Sequence, residues 1–576
     1  MANRSCKDLP DECWELILNK LHHRHHSHLE SPSLSCKRFL SITNALRTHF
    51  AITDPALIGP LSNLFHRFPR LSSLDFTAFR GGDLDRFIID VAVSSDFDLI
   101  ETLNLSGTEL PLLGLKILGF RMKNLKSLNF SHLRTLGDVH LEVIADSMPC
   151  LEDLDISFPL HEGSVTDRGI EVLSSKLKGM RIIAISGNEL LTDNSLIALS
   201  TNCVYLTHIY VIDCSLVTPF GIEFVLRNSS NLNLLSVSDI DFGPLDDCSF
   251  RCARNLSDLS IYDSVVPDEY LHLLAKNSGI PLEGFTLSME FQPMSSCFTF
   301  CGISSLLNKY RSLTFLSLAA IDFLTDEKMS DLSQCLSALD TIWLDTCIGL
   351  TESTFFTLAK NCPLLENISM QETNLGGGGG DKAADIVKNP RIKFLNLENN
   401  PKLSDECLAK LALRCPNLEV LDVSSCKDIT EKGIADFLKS SSKIRKLQIN
   451  ECGGIMNIGN GFELTELEVL GAARSGINDD GLVAIGNRCG KLLELNLNGC
   501  LGVTIVGLEE ILRNCERLRK MNLTSCFSIS SDTIGWMVFS RPSLRKIILS
   551  HSSLPSESQR KLLLHRGCLV LSGVAQ

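Results

Sequence analysis

The feature that most constrains this chain is a pattern of apolar residues that returns about every 26 residues. Segment 418–423 has apolar residues at its first, fourth and sixth positions, and segment 444–449 repeats them 26 residues later. This spacing suits a short strand with one buried face, because alternate strand residues point to opposite sides. The intervening run from Lys432 to Leu438 has the 3.6-residue periodicity of a helix. Each unit is therefore predicted to be a strand followed by a helix.

Nineteen such motifs occupy most of the 576 residues, mostly 24–27 residues apart. Repeats of this length with the motif L-x-x-L-x-L are typical of leucine-rich repeats. A chain this long exceeds the roughly 250–300 residues that one compact core supports, which favours a solenoid. The predicted fold is an α/β leucine-rich-repeat solenoid, a horseshoe or near-closed ring with parallel strands on its concave face. The motifs begin at Leu71, Ile100, Leu125, Leu151, Met180, Leu206, Leu232, Leu256, Leu282, Leu313, Leu339, Leu365, Ile392, Leu418, Ile444, Leu467, Leu492, Leu518 and Leu544.

Three segments interrupt this rhythm. The spacing widens to 31 residues after Leu282, where 289–302 is predicted to be a long loop, and Phe158–Gly169 is a smaller insertion. Five consecutive glycines at 376–380 lack the G-K-[ST] that follows in a phosphate-binding loop, so a flexible connection is predicted. Insertions in solenoids often lie on the binding rim.

The 22 cysteines mostly occupy fixed positions in the repeat. Cys426 and Cys526, for example, follow predicted strands, whereas Cys415 and Cys515 precede them. Such a register indicates small buried side chains in a reducing compartment rather than disulfides. The sequence contains no C-x-x-C pair, and no metal site is predicted.

Composition narrows the classes of function. A net charge of −14 argues against general nucleic-acid binding, which normally requires a basic surface. No run of about 20 apolar residues predicts a membrane span, and the N-terminus lacks the apolar core of a signal peptide. The sequence has no G-x-S-x-G, H-E-x-x-H or Walker motif, so we expect a non-catalytic protein of the cytoplasm, the nucleus or both.

Residues 6–50 differ from the repeats and predict helices. Leu9-Pro10-Asp11-Glu12 begins an amphipathic segment, and Leu34-Ser35-Cys36-Lys37-Arg38-Phe39 begins another. These two motifs resemble the F-box, whose pattern is L-P-x-E, an amphipathic helix and then C-K-x-aromatic. Ser35 departs from the valine that the family often has there. The histidine-rich segment 22–28 is interpreted as a solvated loop, because it lacks the helical spacing of a metal site.

With the repeats, this resemblance identifies an F-box/leucine-rich-repeat protein of the cysteine-containing, plant-like type. It implies an α-helical F-box at 6–50, a linker or cap at 51–70, repeats at 71–550 and a C-terminal cap at 551–576. It also implies the substrate receptor of a Skp–cullin–F-box (SCF) ubiquitin ligase, which binds a Skp-type adaptor and, through it, a cullin. The adaptor-binding residues that it implies are Leu9, Pro10, Trp14, Ile17, Leu34 and Phe39.

Substrate contacts are expected at the third and fifth motif positions, which face away from the core. The middle of the chain is aromatic there and the end is basic. Two alternatives stay open: a small-molecule co-receptor that uses an inositol phosphate, and an F-box scaffold outside the ligase. The candidate substrate-binding residues are His208, Tyr210, Phe315, Trp343 and Phe394, and the candidate anion-binding residues are Lys446, Lys520 and Lys546.

Overall fold

The protein is described by a computed structural model in which the chain forms two compact units. Unit 1 comprises residues 1–257 with 279–281, and unit 2 comprises residues 258–278 with 282–576. The structure describes residues 9–22, 29–52, 61–77, 84–93, 96–109, 111–134, 136–160, 165–243, 250, 252–276, 279–290, 298–378, 386–458 and 464–573.

Unit 1 begins with three short helices, as the sequence predicted. They are α1 (Asp11–His22), α2 (Glu30–Ser35) and α3 (Lys37–Ala45). Pro10 precedes α1, and its carbonyl accepts hydrogen bonds from the amides of Cys13 and Trp14. The thiol sulfur of Cys36 accepts a hydrogen bond from the Phe39 amide at 3.4 Å and so caps α3. The first F-box-like motif therefore lies at the start of α1, and the second spans the end of α2 and the start of α3.

The remainder of unit 1 alternates strands with helices. Each of its strands pairs in parallel with the next. The strands are β1 (His49–Ala51), β2 (Ser73–Asp75), β3 (Thr102–Asn104), β4 (Ser127–Asn129), β5 (Asp153–Asp155), β6 (Ile182–Ala184), β7 (His208–Val211) and β8 (Leu234–Ser238). The helices are α4 (Leu61–Arg67), α5 (Leu84–Val93), α6 (Leu112–Arg121), α7 (Asp138–Ser147), α8 (Asp167–Lys176), α9 (Asp193–Asn202) and α10 (Pro219–Asn228), with a 3-10 helix at Asp96–Leu99.

Unit 2 continues the same alternation in a second parallel ladder, from β9 to β21. The strands are β9 (Asp258–Tyr262), β10 (Gly284–Ser288), β11 (Phe315–Ala319), β12 (Thr341–Trp343), β13 (Asn367–Ser369), β14 (Phe394–Asn396), β15 (Val420–Asp422), β16 (Lys446–Gln448), β17 (Val469–Gly471), β18 (Glu494–Asn496), β19 (Lys520–Leu523), β20 (Lys546–Leu549) and β21 (Leu569–Ser572). The helices are α11 (Asp268–Lys276), α12 (Phe300–Lys309), α13 (Asp326–Ser333), α14 (Glu352–Asn361), α15 (Asp405–Ala412), α16 (Glu431–Ser440), α17 (Asp479–Arg488), α18 (Ile505–Asn514), α19 (Ser531–Ser540) and α20 (Glu557–His565), with a 3-10 helix at His551–Ser553.

The predicted repeat motif coincides with the strands throughout. Every strand from β2 to β20 begins two residues after one of the nineteen predicted motif starts. Leu418, Leu421 and Val423 have no exposed surface, whereas Val420 and Asp422 are half-buried. The first, fourth and sixth positions therefore form the core, and the third and fifth face outward, as predicted. The α/β leucine-rich-repeat solenoid is confirmed.

The parallel ladders extend beyond the predicted repeats at both ends. β1 pairs with β2 although it lies at the boundary of the predicted F-box and linker. β21 lies in the predicted C-terminal cap and pairs with β20. An added strand satisfies the unpaired amide and carbonyl groups at the edge of a sheet. Both added strands lie outside the motif and so escaped the prediction.

Carboxylates join successive helices in both units. The amide and the hydroxyl of Thr192 both donate to the carboxylate of Asp167, at 2.9 and 2.6 Å. The same arrangement recurs for Asp479 and Thr504 at 2.8 and 2.5 Å. Thr192 also caps its own helix, because its hydroxyl oxygen accepts a hydrogen bond from the Asn194 amide. Such a threonine therefore links the helix that it caps to the aspartate at the start of the preceding helix. Burial alone would raise the pKa of Asp167, but hydrogen bonds from Ser195 and Thr192 hold it below its usual range.

The repeat cysteines that follow the strands are buried hydrogen-bond donors. The thiol of Cys426 donates to the carbonyl of Leu397 at 3.1 Å, in the preceding repeat. Asn400 occupies the corresponding position one repeat earlier, and its amide donates to the Met370 carbonyl at 2.8 Å. The sequence predicted buried, reduced cysteines, and Cys426 is free and buried. The hydrogen bond adds a reason for the residue type, since both cysteine and asparagine can donate there.

Among the described residues, no helix has both the length and the apolar content that crossing a bilayer requires.

Candidate functional site

The three N-terminal helices pack around a small apolar core. Leu18, Leu29 and Ile42 are buried in it, and Trp14 and Phe39 pack against it. The rings of Trp14 and Phe39 lie 4.8 Å apart and hold α1 against α3. These two predicted adaptor-binding side chains therefore have a structural role, and their part in adaptor binding stays a prediction.

The other predicted adaptor-binding residues lie at the surface of these helices. Leu9, Pro10 and Ile17 are exposed, and Leu34 has 75% of its surface exposed. The guanidinium of Arg38 donates to the Leu9 carbonyl and to the Asp11 carboxylate, each at 2.6 Å. These bonds fix the entry to α1 against α3 and leave the Leu9 side chain free to contact another protein.

Two further exposed apolar residues on these helices were missed by the sequence interpretation. Leu16 on α1 and Leu40 on α3 are both exposed. The F-box-like pattern does not include either position, and their helical spacing matches that of core residues equally well. Together with Leu9, Ile17 and Leu34 they form the N-terminal apolar surface. Leaving such large side chains in water is unfavourable unless a partner covers them.

The outward face of the strands in unit 2 carries an aromatic pair. Phe315 on β11 and Trp343 on β12 have ring centres 5.1 Å apart in an edge-to-face arrangement. Trp343 has 43% of its surface exposed, whereas Phe315 is half-buried. The register places Trp343 beside Ser317 and Ser369, whose small side chains leave the indole open.

The other candidate substrate-binding residues lie elsewhere. Phe394 is on β14, two strands beyond Trp343, and is half-buried. His208 and Tyr210 are on β7 in unit 1, where Nδ1 of His208 lies 2.9 Å from Oγ1 of Thr207. The structure therefore brings Phe315 and Trp343 together, but it assigns the five predicted residues to two different units.

Part of the predicted loop 289–302 lies outside the described residues. Phe298 is buried and packs edge-on against Phe323, with 5.7 Å between ring centres. Phe300 begins α12, and the ammonium of Lys328 lies 5.8 Å from its ring. Phe291, which the alternative of a lid over the aromatic pair also uses, lies outside the described residues. The histidines at 23, 25, 26 and 28 do too, and the side chain of His22 is not described.

Carboxylates lie just beyond the ends of the strands in this part of unit 2. Asp345 lies two residues after Trp343 and accepts hydrogen bonds from Ser369 at 2.6 Å and from the Gln371 amide. Burial raises the pKa of the Glu290 carboxyl, and the charge of Asp345 adds to this effect. The charges of Asp263 and Glu372 also raise the pKa of Glu290, so these carboxylates lie close enough to influence one another.

The acidic character extends along the strand ends. The pKa of Glu398 is also raised, first by burial and then by the charges of Asp422 and Glu451. None of the strands β9–β15, all of them described, contains lysine or arginine. We call the outward face of β9–β15 the acidic–aromatic face. The sequence interpretation found its aromatic residues and missed its carboxylates, although they recur just after the strands.

The three predicted anion-binding lysines meet in one pocket of about 300 Å³. Lys446 on β16, Lys520 on β19 and Lys546 on β20 all line it. Val469 and Glu494 lie between them in the same row of the register. The ammonium of Lys520 is 2.6 Å from the Glu494 carboxylate, so this lysine is already paired.

Lys546 is half-buried in this pocket. Burial lowers the pKa of its ammonium, and the charge of Lys520 lowers it further. Gly471 on β17 contributes no side chain to the pocket, which leaves room between the lysines. The structure thus brings all three predicted lysines together, with one carboxylate among them. Within the described residues, no group of three potential metal ligands occurs.

Comparison with known proteins gives partial matches to plant proteins. No family model matches the chain. It is 25% identical over 212 residues to F-box protein MAX2 of Arabidopsis thaliana, covering 31% of this chain and 30% of MAX2. It is 30% identical over 132 residues to putative F-box/LRR-repeat protein 23 of the same plant, covering 21% of this chain and 28% of that protein. Over 211 residues it is 29% identical to Arabidopsis F-box/LRR-repeat protein 12, covering 36% of this chain and 52% of that protein.

These matches confirm the resemblance to F-box/leucine-rich-repeat proteins of plants. The matched regions span less than a third of the length of MAX2 and of protein 23. Among solved structures, the yeast Rad7–Elc1 complex gives a TM-score of 0.38 at 14% identity, over 76% of this chain and 83% of that one. The mouse RP105/MD-1 complex gives 0.41 at 15% identity, over 83% and 85%.

Proposed function

We propose that this chain is the substrate-recognition subunit of an SCF-type ubiquitin ligase. The observation that carries the proposal is the N-terminal apolar surface, which joins exposed leucines to the two F-box-like motifs. Leu9 and Leu34 are exposed at the starts of those motifs. Side chains of this size suit the apolar groove of a Skp-type adaptor, which in turn recruits a cullin. The chain also resembles F-box/leucine-rich-repeat proteins of plants.

The proposed mechanism is proximity rather than bond chemistry by this chain. The repeats hold a target protein, and the adaptor holds the repeats near a ubiquitin-conjugating enzyme. Attack by a target lysine then becomes effectively unimolecular, which accounts for large rate gains without a catalytic residue in the receptor. The receptor itself is proposed to be a non-catalytic adaptor that marks target proteins for proteasomal degradation.

The acidic–aromatic face is the proposed substrate site. Trp343 is open to solvent on a strand face whose core positions are already filled. Exposed tryptophans beside polar residues match the composition of binding hot spots. The surrounding carboxylates favour a target segment that carries lysine or arginine, whose cation can also lie over the indole.

Adaptor binding tests the proposed function directly. The double variant Leu9→Ala, Pro10→Ala should lose co-purification of a Skp-type adaptor, while circular dichroism shows an unchanged fold. Leu562→Ala serves as the control, because Leu562 is an exposed leucine on α20. Undiminished adaptor binding by the double variant contradicts the assignment. If the unmodified chain captures no adaptor, the scaffold outside the ligase becomes the better account.

A small-molecule co-receptor is the second candidate, favoured by the lysine pocket. Lys446 and Lys546 line it, and within the part of the chain that the structure describes neither makes an ion pair like that of Lys520 with Glu494. An inositol phosphate would neutralise both. Inositol hexakisphosphate should then raise the melting temperature of the chain, and the variant Lys446→Ala, Lys546→Ala should abolish the shift. Equal shifts in the variant and the unmodified chain would indicate binding elsewhere and count against this candidate.

A further inference from the structure

The solvent side of three successive helices in unit 1 carries large apolar side chains. Ile89 and Val93 on α5, Leu113 and Phe120 on α6, and Val139 on α7 are all exposed. Phe120 has 68% of its surface in contact with solvent. These residues lie on the helix side of the repeats, not on the outward face of the strands. The proposed substrate site therefore does not account for them.

The neighbouring helices show that this exposure is local. Helices α8 and α9, which follow in the same unit and are fully described, have no exposed large apolar residue. Their outward positions hold polar side chains such as Arg168, Glu171 and Asn194. Because α7, α8 and α9 share one length and one repeat position, the fold itself does not require apolar residues on this side.

A groove of about 520 Å³ runs between α6 and α7. Lys116 and Phe120 line it from α6 and Lys123 from the segment just after that helix, with Val143, Ser147 and Pro149 on the other side. Gly119 lies at the closest approach of the two helices, where a Cβ atom would overlap the Ser147 hydroxyl. Because glycine has no side chain, α6 and α7 can approach each other here, and the Gly119 backbone forms the bottom of the groove.

The charge of this groove is unbalanced. Lys116 and Lys123 are both exposed, and the Lys123 ammonium lies 5.3 Å from the Phe120 ring centre. Asp146 is the carboxylate that lines the groove, and it is ion-paired with Lys176 on α8. The two lysines therefore present positive charge along an apolar surface with their nearest groove carboxylate already engaged.

The spacing of these residues indicates what can bind beside them. Leu113, Lys116 and Phe120 follow each other at intervals of three and four residues, so they form one stripe along α6, and Lys123 lies two residues beyond the end of this helix. Ten residues of helix extend about 15 Å, the length of three turns of a partner helix. Helices dock in such grooves through apolar residues spaced at three, four and seven positions.

We propose that the groove between α6 and α7 binds an amphipathic helix of a partner protein, with leucine-like residues toward Phe120 and acidic residues toward Lys116 and Lys123. This surface shares no residue with the proposed adaptor and substrate sites. The chain would therefore recruit a further protein to the same complex.

Two designed peptides of about 16 residues, long enough to form helix on binding, test the proposal. Both carry leucines at helical spacing; one has glutamates flanking them and the other has lysines. Isothermal titration calorimetry on the purified full chain should show that the glutamate peptide binds and the lysine peptide does not. Phe120→Ala should weaken binding about 30-fold or more, the loss typical of a hot-spot aromatic.

Charge reversal gives the sharpest result. The variant Lys116→Glu, Lys123→Glu should lose the glutamate peptide and gain the lysine peptide, which a misfolded variant would not do. Phe220→Ala on α10 is the matched control, since Phe220 is 60% exposed on the same side of the unit, and it should bind as the unmodified chain does.

Several outcomes overturn the proposal. Absence of glutamate-peptide binding, equal affinity for the two peptides, or binding that survives Phe120→Ala each contradicts it. Concentration-dependent self-association that Phe120→Ala abolishes would assign the groove to a second copy of the chain. Binding to phosphatidylcholine–phosphatidylserine vesicles that the lysine variant loses would assign it to a membrane surface. Adaptor binding is measured on the same variants, so failure of the ligase assignment is distinguishable from failure of this one.

Discussion

Two regions of unit 2 share one scaffold and present opposite surfaces. Strands β9–β15 form the acidic–aromatic face, whereas β16–β20 contribute Lys446, Lys520 and Lys546 to one pocket. Yet the strand centres in both regions are equally buried: Leu421 has no exposed surface and Leu495 has 2%. The two regions differ in the charge of their outward-facing side chains, at positions that do not contribute to the core.

This difference shows how the repeat separates stability from recognition. The first, fourth and sixth positions fill the core, so almost any polar change there destabilises the fold. The third and fifth positions contribute little to the core, and their residues can change without altering the backbone. A substitution should therefore have consequences that depend on its repeat position more than on its region.

The largest expected effect comes from the core. Leu421→Ala and Leu495→Ala should each lower the free energy of unfolding by about 2–5 kcal/mol, the range for removing a buried leucine side chain. Urea denaturation followed by circular dichroism measures the loss. Val420→Ala, one residue away on the outward face, is the control and should cost far less. A large difference between the two leucine variants would mean that the regions do not share one core geometry.

The next effect should be on binding alone. Trp343→Ala should weaken capture of the target protein by about 2 kcal/mol or more, the threshold of a hot spot, with little change in melting temperature. Affinity purification in the presence of a proteasome inhibitor measures the capture. Lys520→Ala, on the basic side of the same ladder, should leave it unchanged.

The lid alternative predicts another pattern for the same variant. If loop 289–302 folds over Phe315 and Trp343, then Trp343→Ala should increase proteolysis of that loop whether or not a target is present. Full target capture by Trp343→Ala would remove the acidic–aromatic face from consideration and favour the rim loops.

A smaller loss of stability, equal in the two regions, is expected when a repeat cysteine is replaced by serine. The thiols of Cys426 and Cys526 donate to carbonyl groups at 3.1 and 3.0 Å. Burial raises the pKa of each thiol to about 12, so both stay protonated and unreactive at neutral pH. Replacement of either by serine should cost about 1–3 kcal/mol, because a hydroxyl enters an apolar site.

Mass spectrometry gives the companion measurement. Iodoacetamide at neutral pH should modify the exposed Cys301 and leave Cys426 and Cys526 unmodified in the folded chain. A native disulfide at Cys426, found after rapid quenching, would contradict the reducing environment that its position indicates.

The sequence predicted the scaffold well because the scaffold is periodic. Every strand from β2 to β20 follows from one motif, since a one-residue shift would expose an entire apolar set. β1 and β21 were missed because edge strands need only backbone hydrogen bonds, which any residue supplies. The periodic pattern therefore identifies strands that have a neighbouring strand on both sides. It does not identify the edge strands, which have a neighbour on one side only.

The binding surfaces were only partly predictable for the same reason. Phe315 and Trp343 were found because they are aromatic residues at outward-facing motif positions, and the lysines because they share a motif position. The carboxylates near Glu290 escaped attention, because they become a group only when loops from separate repeats converge. The groove beside Phe120 escaped as well, since an apolar residue on a helix is normally interpreted as core.

The smallest expected effects concern how stability depends on pH, and they should have opposite pH dependence in the two regions. Glu290 lies among carboxylates and its pKa is raised by burial and then by their charge, whereas burial and Lys520 lower the pKa of Lys546. A carboxyl with a raised folded-state pKa destabilises the fold above that pKa and has no effect below its unfolded value. A lysine with a lowered pKa destabilises the fold below it and has no effect above its unfolded value.

Glu290→Gln and Lys546→Gln should therefore both raise the melting temperature slightly at neutral pH. The gain from Glu290→Gln should vanish in acid, and that from Lys546→Gln should vanish only in strong alkali. Glu366→Gln is the control of opposite sign: hydrogen bonds and charge from Lys393 lower the pKa of Glu366, so its replacement should lower the melting temperature at neutral pH. Because none of these three groups is fully buried, added salt should shrink all three shifts. If Glu290→Gln and Glu366→Gln moved the melting temperature in the same direction, the opposite pKa shifts of the two carboxyls would not be what sets their contributions to stability.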